Sequence, residues 1–338
     1  MQERYSRQML FSGIGEEGQA LLQNKHVLVI GAGALGTGNA EILARSGVGT
    51  ITIADRDYVE WSNLQRQQLY TEEDARNHMP KAIAAKKRLE TINSDVKINA
   101  HIVDITPLEM EQFVHGIDLI IDATDNFDIR MIMNDISQKY AIPWIYGSIV
   151  ASYGVSFTVI PGSSPCLHCL MEDVPIGGMT CDTGGVISPV VQLVVAHQTA
   201  EALKILTENW EYVRRELISF DLWTNQHASI NVSKVKKAAC SSCGPEATYP
   251  FLTYENKTKT AVLCGRDTVQ IRPAANEQRD LEAIAASLSK LGKVEKNGFL
   301  LQFKTGENRM VMFKDGRVLV HGTNDEVKAK SLYHKFLG

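Results

Sequence analysis

The sequence predicts an α/β fold in which a mostly parallel sheet is extended by antiparallel strands, with a small α+β domain at the carboxyl end. The first observation is an apolar run, 27–30, that leads directly into the glycine-rich turn 31–36 and then into an amphipathic helix and a second strand. The second is a later apolar run, 118–124, which suits another buried parallel strand. The third is Asp315-Gly316 between two apolar segments, which is a strong hairpin signal.

Residues 27–55 have the order strand, glycine turn, helix, strand and acid, which is the order of a Rossmann-like unit that binds a nucleotide. The glycines let the backbone approach a phosphate, and the helix N-terminus adds unpaired N–H groups. Asp55, at the end of the second strand, can accept hydrogen bonds from a ribose. The residues expected around the phosphates are Gly31, Gly33, Ala34 and Gly36. The motif does not decide between NAD and ATP, since both carry an adenosine, a ribose and phosphates.

A polar, arginine-bearing segment follows the ribose position. It includes Asp57, Asn63 and Arg66, within a long crossover, 57–80, of the kind that is usually functional in a compact domain. A hydride-transfer enzyme needs no cation there, whereas an enzyme that breaks a phosphoanhydride needs cations and a metal near the phosphates. The segment therefore favours ATP chemistry, and an NAD-dependent oxidoreductase is the alternative.

Two further candidates stand at the ends of predicted elements. Lys81 follows Pro80 at the start of a predicted helix, 81–91, where a lysine suits a phosphate. Asp125-Asn126 follows the strand 118–124, and open parallel sheets bind ligands at the carboxyl ends of their strands. Asp125 can hold Mg²⁺ there, and it can also cap the next helix. The other predicted elements of this part are strands at 97–105, 142–149, 156–160 and 217–221 and helices at 107–115, 127–140 and 187–207.

Four of the six cysteines form two CxxC pairs that lie about 70 residues apart. In a reducing compartment such pairs indicate a metal before a disulfide, and four thiolates complete a tetrahedral, structural Zn²⁺ site. A redox dithiol is the alternative. Both pairs are predicted to lie in loops. The expected ligands are Cys166, Cys169, Cys240 and Cys243. A fifth cysteine, Cys181, lies in the glycine-rich stretch 175–185, which predicts an accessible thiol rather than a core residue.

The composition is that of an ordinary globular protein, with 338 residues, 44% hydrophobic and 22% charged. The net charge of −4 argues against nucleic acid as the main partner. No apolar stretch reaches the roughly 18 residues that a membrane span needs, and the polar N-terminal stretch lacks a signal-peptide pattern. We therefore expect a cytoplasmic protein with no membrane partner.

Nine short motifs between Arg4 and about Cys243 occur in an order that resembles the adenylating domain of the ubiquitin-activating superfamily, specifically its bacterial MoeB/ThiF branch. They are RYSRQ, GAGALG, DRD, SNLQRQ, PK, ATDN, CLHC, TCDTGG and CSSC. The resemblance implies ATP-dependent adenylation of the C-terminal glycine of a small ubiquitin-like sulfur-carrier protein, of the ThiS or MoaD type. The product is activated for thiocarboxylate formation in thiamine or molybdopterin cofactor biosynthesis, and the sequence does not decide which.

The resemblance also implies roles for single residues. Arg7 of one subunit reaches the nucleotide site of its partner in a homodimer, as an arginine finger does. Arg66, Lys81 and a magnesium ion on Asp125 offset the repulsion between a carboxylate and the α-phosphate. Asn63 orients the phosphates or the carboxylate. The nucleotide-binding residues expected on this basis are Gly31, Gly33, Ala34, Gly36, Asp55, Asp57, Asn63, Arg66, Lys81, Asp125 and Asn126.

Cys181 matches the reactive cysteine of the thiol-using members, which implies capture of the activated carrier as a thioester or acyl-persulfide. The alternative is a separate sulfurtransferase that delivers sulfur directly to the acyl-adenylate. A non-catalytic nucleotide-binding scaffold is a third function class, and the complete set of charged residues argues against it.

We therefore predict an adenylating domain at 1–245, a linker at 246–256 and a small α+β domain at 257–338. The shortest family members end near the second CxxC pair, so the small domain is a departure. The elements predicted for it are strands at 260–272, 299–303, 310–314 and 317–321 and helices at 280–291 and 325–336. It lacks the cysteine-loop pattern of a sulfurtransferase, and we expect a carrier-docking or stabilising role.

Overall fold

The computed structural model describes residues 2–173, 184–253, 259–263, 267–272, 279–306 and 308–337. The described chain divides into two compact units. The first contains residues 2–173 and 186–253, and the second contains residues 184–185 and the described residues from 259 onward.

The first unit is built on an eight-stranded sheet. Its strands are β1 His26–Ile30, β2 Thr50–Asp55, β3 Lys97–Ile102, β4 Leu119–Asp122, β5 Trp144–Val150, β6 Tyr153–Val159, β7 Leu217–Asp221 and β8 Gln226–Ile230. They are ordered β3-β2-β1-β4-β5-β6-β7-β8, parallel from β3 to β5 and antiparallel from β5 to β8. This confirms the predicted mostly parallel sheet with an antiparallel extension. The sequence did not predict β8, because all five of its residues are exposed and it carries no apolar pattern.

Helices cover both faces of this sheet. They are α1 Gln2–Met9, α2 Gly15–Leu22, α3 Ala34–Ser46, α4 Glu72–Arg76, α5 Lys81–Ile92, α6 Pro107–Phe113, α7 Phe127–Tyr140, α8 Leu167–Asp173 and α9 Ser188–Leu206. Alternate residues of β1 enter two separate cores. Val27 and Val29 pack in the core with α3 and α5, whereas Leu28 and Ile30 pack in the core with α6 and α7. Burial on both faces explains why this strand reads as a continuous apolar run.

The expectation that both CxxC pairs lie in loops was wrong for the first pair. Cys166 immediately precedes α8 and Cys169 lies within it. The proline at 165 had suggested a loop, but a proline just before a helix start removes no helical hydrogen bond and so does not prevent the helix.

The second unit is a six-stranded antiparallel sheet with two helices. Its elements are β9 Lys259–Leu263, β10 Thr268–Arg272, α10 Leu281–Leu288, β11 Lys293–Lys296, β12 Leu300–Thr305, β13 Asn308–Phe313, β14 Val318–His321 and α11 Glu326–Leu337. The strand order is β11-β12-β13-β14-β10-β9. The hairpin predicted at Asp315-Gly316 is confirmed as the connection from β13 to β14. The single strand predicted over 260–272 was wrong, because the chain reverses and pairs Leu263 with Thr268.

Within the described part of the chain, no helix combines the length and the apolar character that crossing a membrane requires.

Candidate active site

The turn between β1 and α3 leaves an open space at the N-terminus of α3. Gly31 has a φ of 96°, and a Cβ there would lie 2.4 Å from the carbonyl oxygen of Ala123. A Cβ at Gly36 would lie 2.0 Å from the carbonyl oxygen of Gly31. Gly33, by contrast, has open space beside it, because a Cβ there would meet only Gln67 Nε2 at 3.9 Å. Gly33 is the N-cap of α3, and no side chain caps this helix. The first N–H groups of α3, from Ala34 onward, therefore face a space that suits a phosphate.

Asp55 ties the end of β2 to this turn. One carboxylate oxygen accepts a hydrogen bond from the Ala32 N–H at 2.6 Å, and the other accepts one from the Asp57 N–H at 2.6 Å. Burial raises the pKa of the Asp55 carboxyl, while the nearby Lys81 ammonium acts in the opposite direction. Each oxygen has a further lone pair, so Asp55 can still accept hydrogen bonds from a ribose.

Lys81 is the first residue of α5, and only 3% of it is exposed. Its ammonium lies 3.4 Å from Asp57 Oδ2, and its N–H donates to the Asp57 carbonyl at 2.9 Å. Tyr70 fixes this helix start against the glycine turn, because its hydroxyl donates to the carbonyls of Ala32 at 2.6 Å and Lys81 at 3.2 Å. An ammonium has three donors, and the described residues use one of them, so Lys81 can also reach an anionic ligand.

Asp125 and Asn126 follow β4 and have separate roles. Asn126 is the N-cap of α7, and its side chain accepts a hydrogen bond from the Ile129 N–H at 3.2 Å. The interpretation of Asp125 as the cap of this helix was therefore wrong. Asp125 is exposed. An exposed carboxylate at the carboxyl end of a parallel strand is suited to a hydrated divalent cation.

Two arginines that the sequence analysis did not single out lie around Asp125. Burial alone would lower the pKa of the Arg56 guanidinium, but Asp104, Asp57 and Asp125 raise it. Burial alone would also lower the pKa of the Arg130 guanidinium, but Asp122 and Asp125 raise it. Asp125 therefore acts electrostatically on two guanidinium groups.

Arg130 forms a buried ion pair with Asp122, the last residue of β4. Its Nε donates to Asp122 Oδ2 at 2.9 Å, and its Nη2 donates to the carbonyls of Thr124 at 2.7 Å and Gly147 at 3.1 Å. Asp122 is fully buried. The available sequence signal was an acid at the end of an apolar run with an arginine eight residues further on.

Two predicted site residues contact their own segment. The Arg66 guanidinium donates to the carbonyl of Ser62 at 2.8 Å. The Asn63 side chain accepts a hydrogen bond from the Glu60 N–H at 2.9 Å and helps to form the 3-10 turn Trp61–Asn63. The structure thus places both residues in the crossover that contacts the glycine turn through Tyr70.

Arg7 is exposed and lies away from this site. Its helix, α1, is anchored by the Gln8 side chain, which donates to the carbonyl of Ser46 at 2.9 Å. The Asn93 side chain also donates to the Tyr5 hydroxyl at 2.8 Å. Ser46 is the last residue of α3 and Asn93 follows α5, so α1 packs at the C-terminal ends of these two helices.

Cys181 lies outside the described residues.

The four predicted zinc ligands come together. All four sulfur atoms lie within 4.8 Å of one another, and the two closest contacts are Cys166–Cys240 at 3.7 Å and Cys169–Cys243 at 3.6 Å. A tetrahedral site with Zn–S bonds of about 2.3 Å has sulfur–sulfur distances of about 3.8 Å, so the cluster fits zinc. His168 contacts the Ser242 hydroxyl at 3.1 Å and is not one of the four ligands.

Comparison with known proteins gives a match to the ThiF family over residues 5–242. The chain is 53% identical, over 340 aligned positions and all of both chains, to a protein of Bacillus subtilis named sulfur carrier protein ThiS adenylyltransferase. It is 36% identical to the Escherichia coli protein of that name, over 71% of this chain and 94% of the relative. A solved structure of E. coli MccB with ATP matches with a TM-score of 0.62 and 24% identity, over 71% of this chain and 74% of MccB. The last similarity shows a shared fold.

Proposed function

The chain belongs to the ThiF family, and on this basis we propose that it is an ATP-dependent adenylyltransferase that acts on a small ubiquitin-like sulfur-carrier protein. The observation that carries the proposal is the identity of 53% over the full chain with a ThiS adenylyltransferase. The open helix N-terminus at Gly33, the buried Lys81 and the exposed Asp125 provide the chemistry that this activity needs. The same relative favours a ThiS-type carrier over a MoaD-type carrier.

The reaction joins the carrier to AMP. A carboxylate oxygen of the carrier's C-terminal glycine attacks the α-phosphorus of ATP, the bond from that phosphorus to the bridging oxygen breaks, and pyrophosphate leaves. The acid becomes a mixed anhydride, whose leaving group is a stable phosphate rather than hydroxide. The barrier comes largely from bringing a carboxylate against a charged phosphate, so catalysis requires positioning and positive charge.

The residues of this chain supply both requirements. The N–H groups at Gly33 and Ala34 bind the phosphates, and Asp55 binds the ribose. Lys81 adds a buried positive charge, which is stronger in a poorly solvated site than at the surface. Asp125 would hold Mg²⁺, which neutralises phosphate charge when bound. Asp57 and Asn126 keep Lys81 and the start of α7 in place, and Asn63 and Arg66 cover the phosphates from the crossover.

We propose that the four cysteines hold one structural zinc ion, with Cys166 and Cys169 contributed by the middle of the first unit and Cys240 and Cys243 by its end. Such a site contributes on the order of 10 kcal/mol to small zinc-dependent folds. Metal analysis should give one zinc per chain, and Cys243→Ala should melt at a much lower temperature. Zinc-free protein with an unchanged melting temperature would show that the cluster is not a structural metal site.

The adenylation step uses no thiol, so Cys181 belongs to a later step. We propose that it captures the activated carrier, and direct delivery of sulfur by a separate sulfurtransferase is the alternative. Cys181→Ala should keep pyrophosphate exchange but lose any DTT-sensitive adduct with the carrier. Normal thiocarboxylate formation by this variant, with a sulfur donor present, would favour direct delivery.

ATP–pyrophosphate exchange tests the proposed function. The purified protein should incorporate labelled pyrophosphate into ATP only when a carrier with an intact C-terminal glycine is present. ThiS-type and MoaD-type carriers should be compared in parallel, with carriers that lack the final glycine as controls. Absence of exchange with either carrier contradicts the proposal, and a carrier-independent change in nicotinamide absorbance would instead indicate the oxidoreductase.

A further inference from the structure

Gln67 is a buried glutamine with an unsatisfied side chain beside the glycine turn. Only 3% of the residue is exposed, and its Oε1 atom is buried without a hydrogen-bond partner. Its Nε2 atom donates no hydrogen bond within the described part of the chain. Buried amide groups in folded proteins are nearly always hydrogen-bonded, so a glutamine left in this state requires a reason.

The backbone of Gln67 is fixed by hydrogen bonds on both sides. The Gln67 N–H donates to the carbonyl of Asn63 at 3.0 Å, and the Gln67 carbonyl accepts from the N–H of Tyr70 at 3.2 Å. Tyr70 is in turn fixed to the carbonyl of Ala32. The side chain points to the N-terminus of α3, since its Nε2 lies 3.9 Å from the position that a Cβ of Gly33 would occupy.

We propose that Gln67 binds the phosphate chain of ATP, by donating from its side-chain amide to a phosphate oxygen that is seated on the N-terminus of α3. Two independent observations support this: an uncapped helix of 13 residues that offers N–H donors, and a buried amide aimed at the same space. The helix end favours an anion and the amide offers two donors, so the ligand that satisfies both is a phosphate.

In the proposed reaction this contact is a positioning contact. A neutral amide adds little charge stabilisation, but it fixes a phosphate oxygen and thereby orients the α-phosphorus toward the incoming carboxylate. The inference rests on the proposed function only in naming ATP as the nucleotide, because the contact requires a phosphate and not a carrier protein.

Gln67→Met separates a binding role from a structural role. Methionine has a similar length and no amide, so it removes the unpaired oxygen from the ligand-free protein. We expect the melting temperature without nucleotide to stay the same or rise, while the KM for ATP in pyrophosphate exchange rises at least tenfold and the KM for the carrier stays within twofold. A residue that only supports the fold would show a lower melting temperature and an unchanged KM for ATP.

Gln67→Glu is the second variant, with Gln65→Glu as its matched control. Both add one negative charge to the same segment, but Gln65 is exposed. We expect Gln67→Glu to raise the KM for ATP more than Gln67→Met does, because a carboxylate repels phosphate, and Gln65→Glu to stay within twofold of wild type. A Gln67→Glu protein that matches Gln65→Glu in ATP affinity overturns the proposal.

Calorimetry measures the affinity for a non-hydrolysable ATP analogue in the absence of carrier. It therefore tests the role of Gln67 separately from the proposed adenylyltransferase function. If the wild-type protein binds the analogue but catalyses no exchange, the proposed function fails and the analogue affinities of the two Gln67 variants still decide the role of Gln67. If exchange proceeds and both Gln67 variants bind the analogue within twofold of wild type, the proposed function stands and Gln67 is not a phosphate ligand.

Discussion

At the scale of single residues, the carboxyl end of β4 shows how neighbouring polar residues have separate roles. Asn126 satisfies the backbone at the start of α7, so Asp125 remains exposed and available for a cation. Asp122, three residues earlier, is fully buried and holds Arg130. Because these roles differ, substitutions of the two acids should have different consequences for the fold.

Asp125→Ala should abolish pyrophosphate exchange and leave the fold intact. An exposed carboxylate contributes little to stability, so the free energy of unfolding should change by no more than about 0.5 kcal/mol. Exchange kinetics and urea denaturation check this, with Asp128→Ala on the same exposed helix start as the control. A folded Asp125→Ala protein with near-wild-type exchange would show that this residue does not hold the catalytic metal.

Arg130→Met should destabilise the protein by about 3–5 kcal/mol, because it leaves the buried Asp122 carboxylate without its partner. The double variant Asp122→Asn with Arg130→Met should cost less than the sum of the two single variants, since both charges are then removed. Urea denaturation of the four proteins measures this coupling. Additive costs would mean that the two side chains do not stabilise each other.

At the scale of elements, α7 joins the site to the cysteine cluster. Asp125 and Asn126 stand at its start, and Asn134 and Asp135 lie fully buried two turns further along. The Asn134 side chain accepts a hydrogen bond from the Leu167 N–H at 2.8 Å, inside the first CxxC pair. Burial raises the pKa of the Asp135 carboxyl, and Ser242, inside the second pair, lowers it. One turn of a single helix therefore holds the first cysteine pair and lies beside the second.

Asn134→Ala should weaken metal retention without touching a ligand. The Leu167 N–H would lose its acceptor, so the first CxxC pair would open more often. Leaving a buried group unsatisfied costs roughly 1–3 kcal/mol. Transfer of zinc to a chromophoric chelator should therefore be about tenfold faster. Lys139→Ala, at an exposed position of the same helix, is the control. Equal release rates for the two variants would contradict the anchoring role.

At the scale of the whole molecule, three histidines make stability depend on pH, and two of them, His26 and His197, are half-buried. Burial lowers the pKa of His26, His101 and His197. The unfolded chain then binds more protons than the folded chain as the pH falls through about 6.5, so the free energy of unfolding falls in the same direction. The melting temperature should be lower at pH 5.5 than at pH 7.5. His26→Gln should reduce that difference, and His334→Gln, at an exposed position, should not.

The sequence predicted the parallel sheet, the glycine turn and the grouping of the four cysteines because these depend on local patterns. Apolar runs, glycines and terminal acids mark β1, α3 and β2, and the CxxC spacing marks the metal ligands. It failed where tertiary contacts decide. The spacing of Asp122 and Arg130 permits an ion pair, but only the folded α7 shows that the guanidinium turns back to β4. The exposed edge strand β8 is defined only by its pairing with β7.

The geometry of the whole molecule also argues that Arg7 cannot serve the site of its own chain. The phosphate space lies at the N-terminus of α3, whereas α1 packs at the opposite end of that helix. Thirteen helical residues span about 20 Å, which is more than an arginine side chain can reach. Leu10 and Phe11, just beyond α1, are 74% and 65% exposed, as residues of a subunit interface are in an isolated chain. On these two observations we propose a homodimer in which Arg7 acts in trans.

Mixing two inactive variants tests this arrangement. Arg7→Ala and Asp125→Ala should each lack pyrophosphate exchange, but a mixed dimer contains one site with an intact Asp125 and Arg7 of the partner subunit. In a co-expressed one-to-one mixture half of the dimers are mixed, and each has one working site of two, so we expect about a quarter of wild-type exchange. If Arg7 acted within its own chain, no combination of these subunits would contain a complete site, and the mixture would stay inactive.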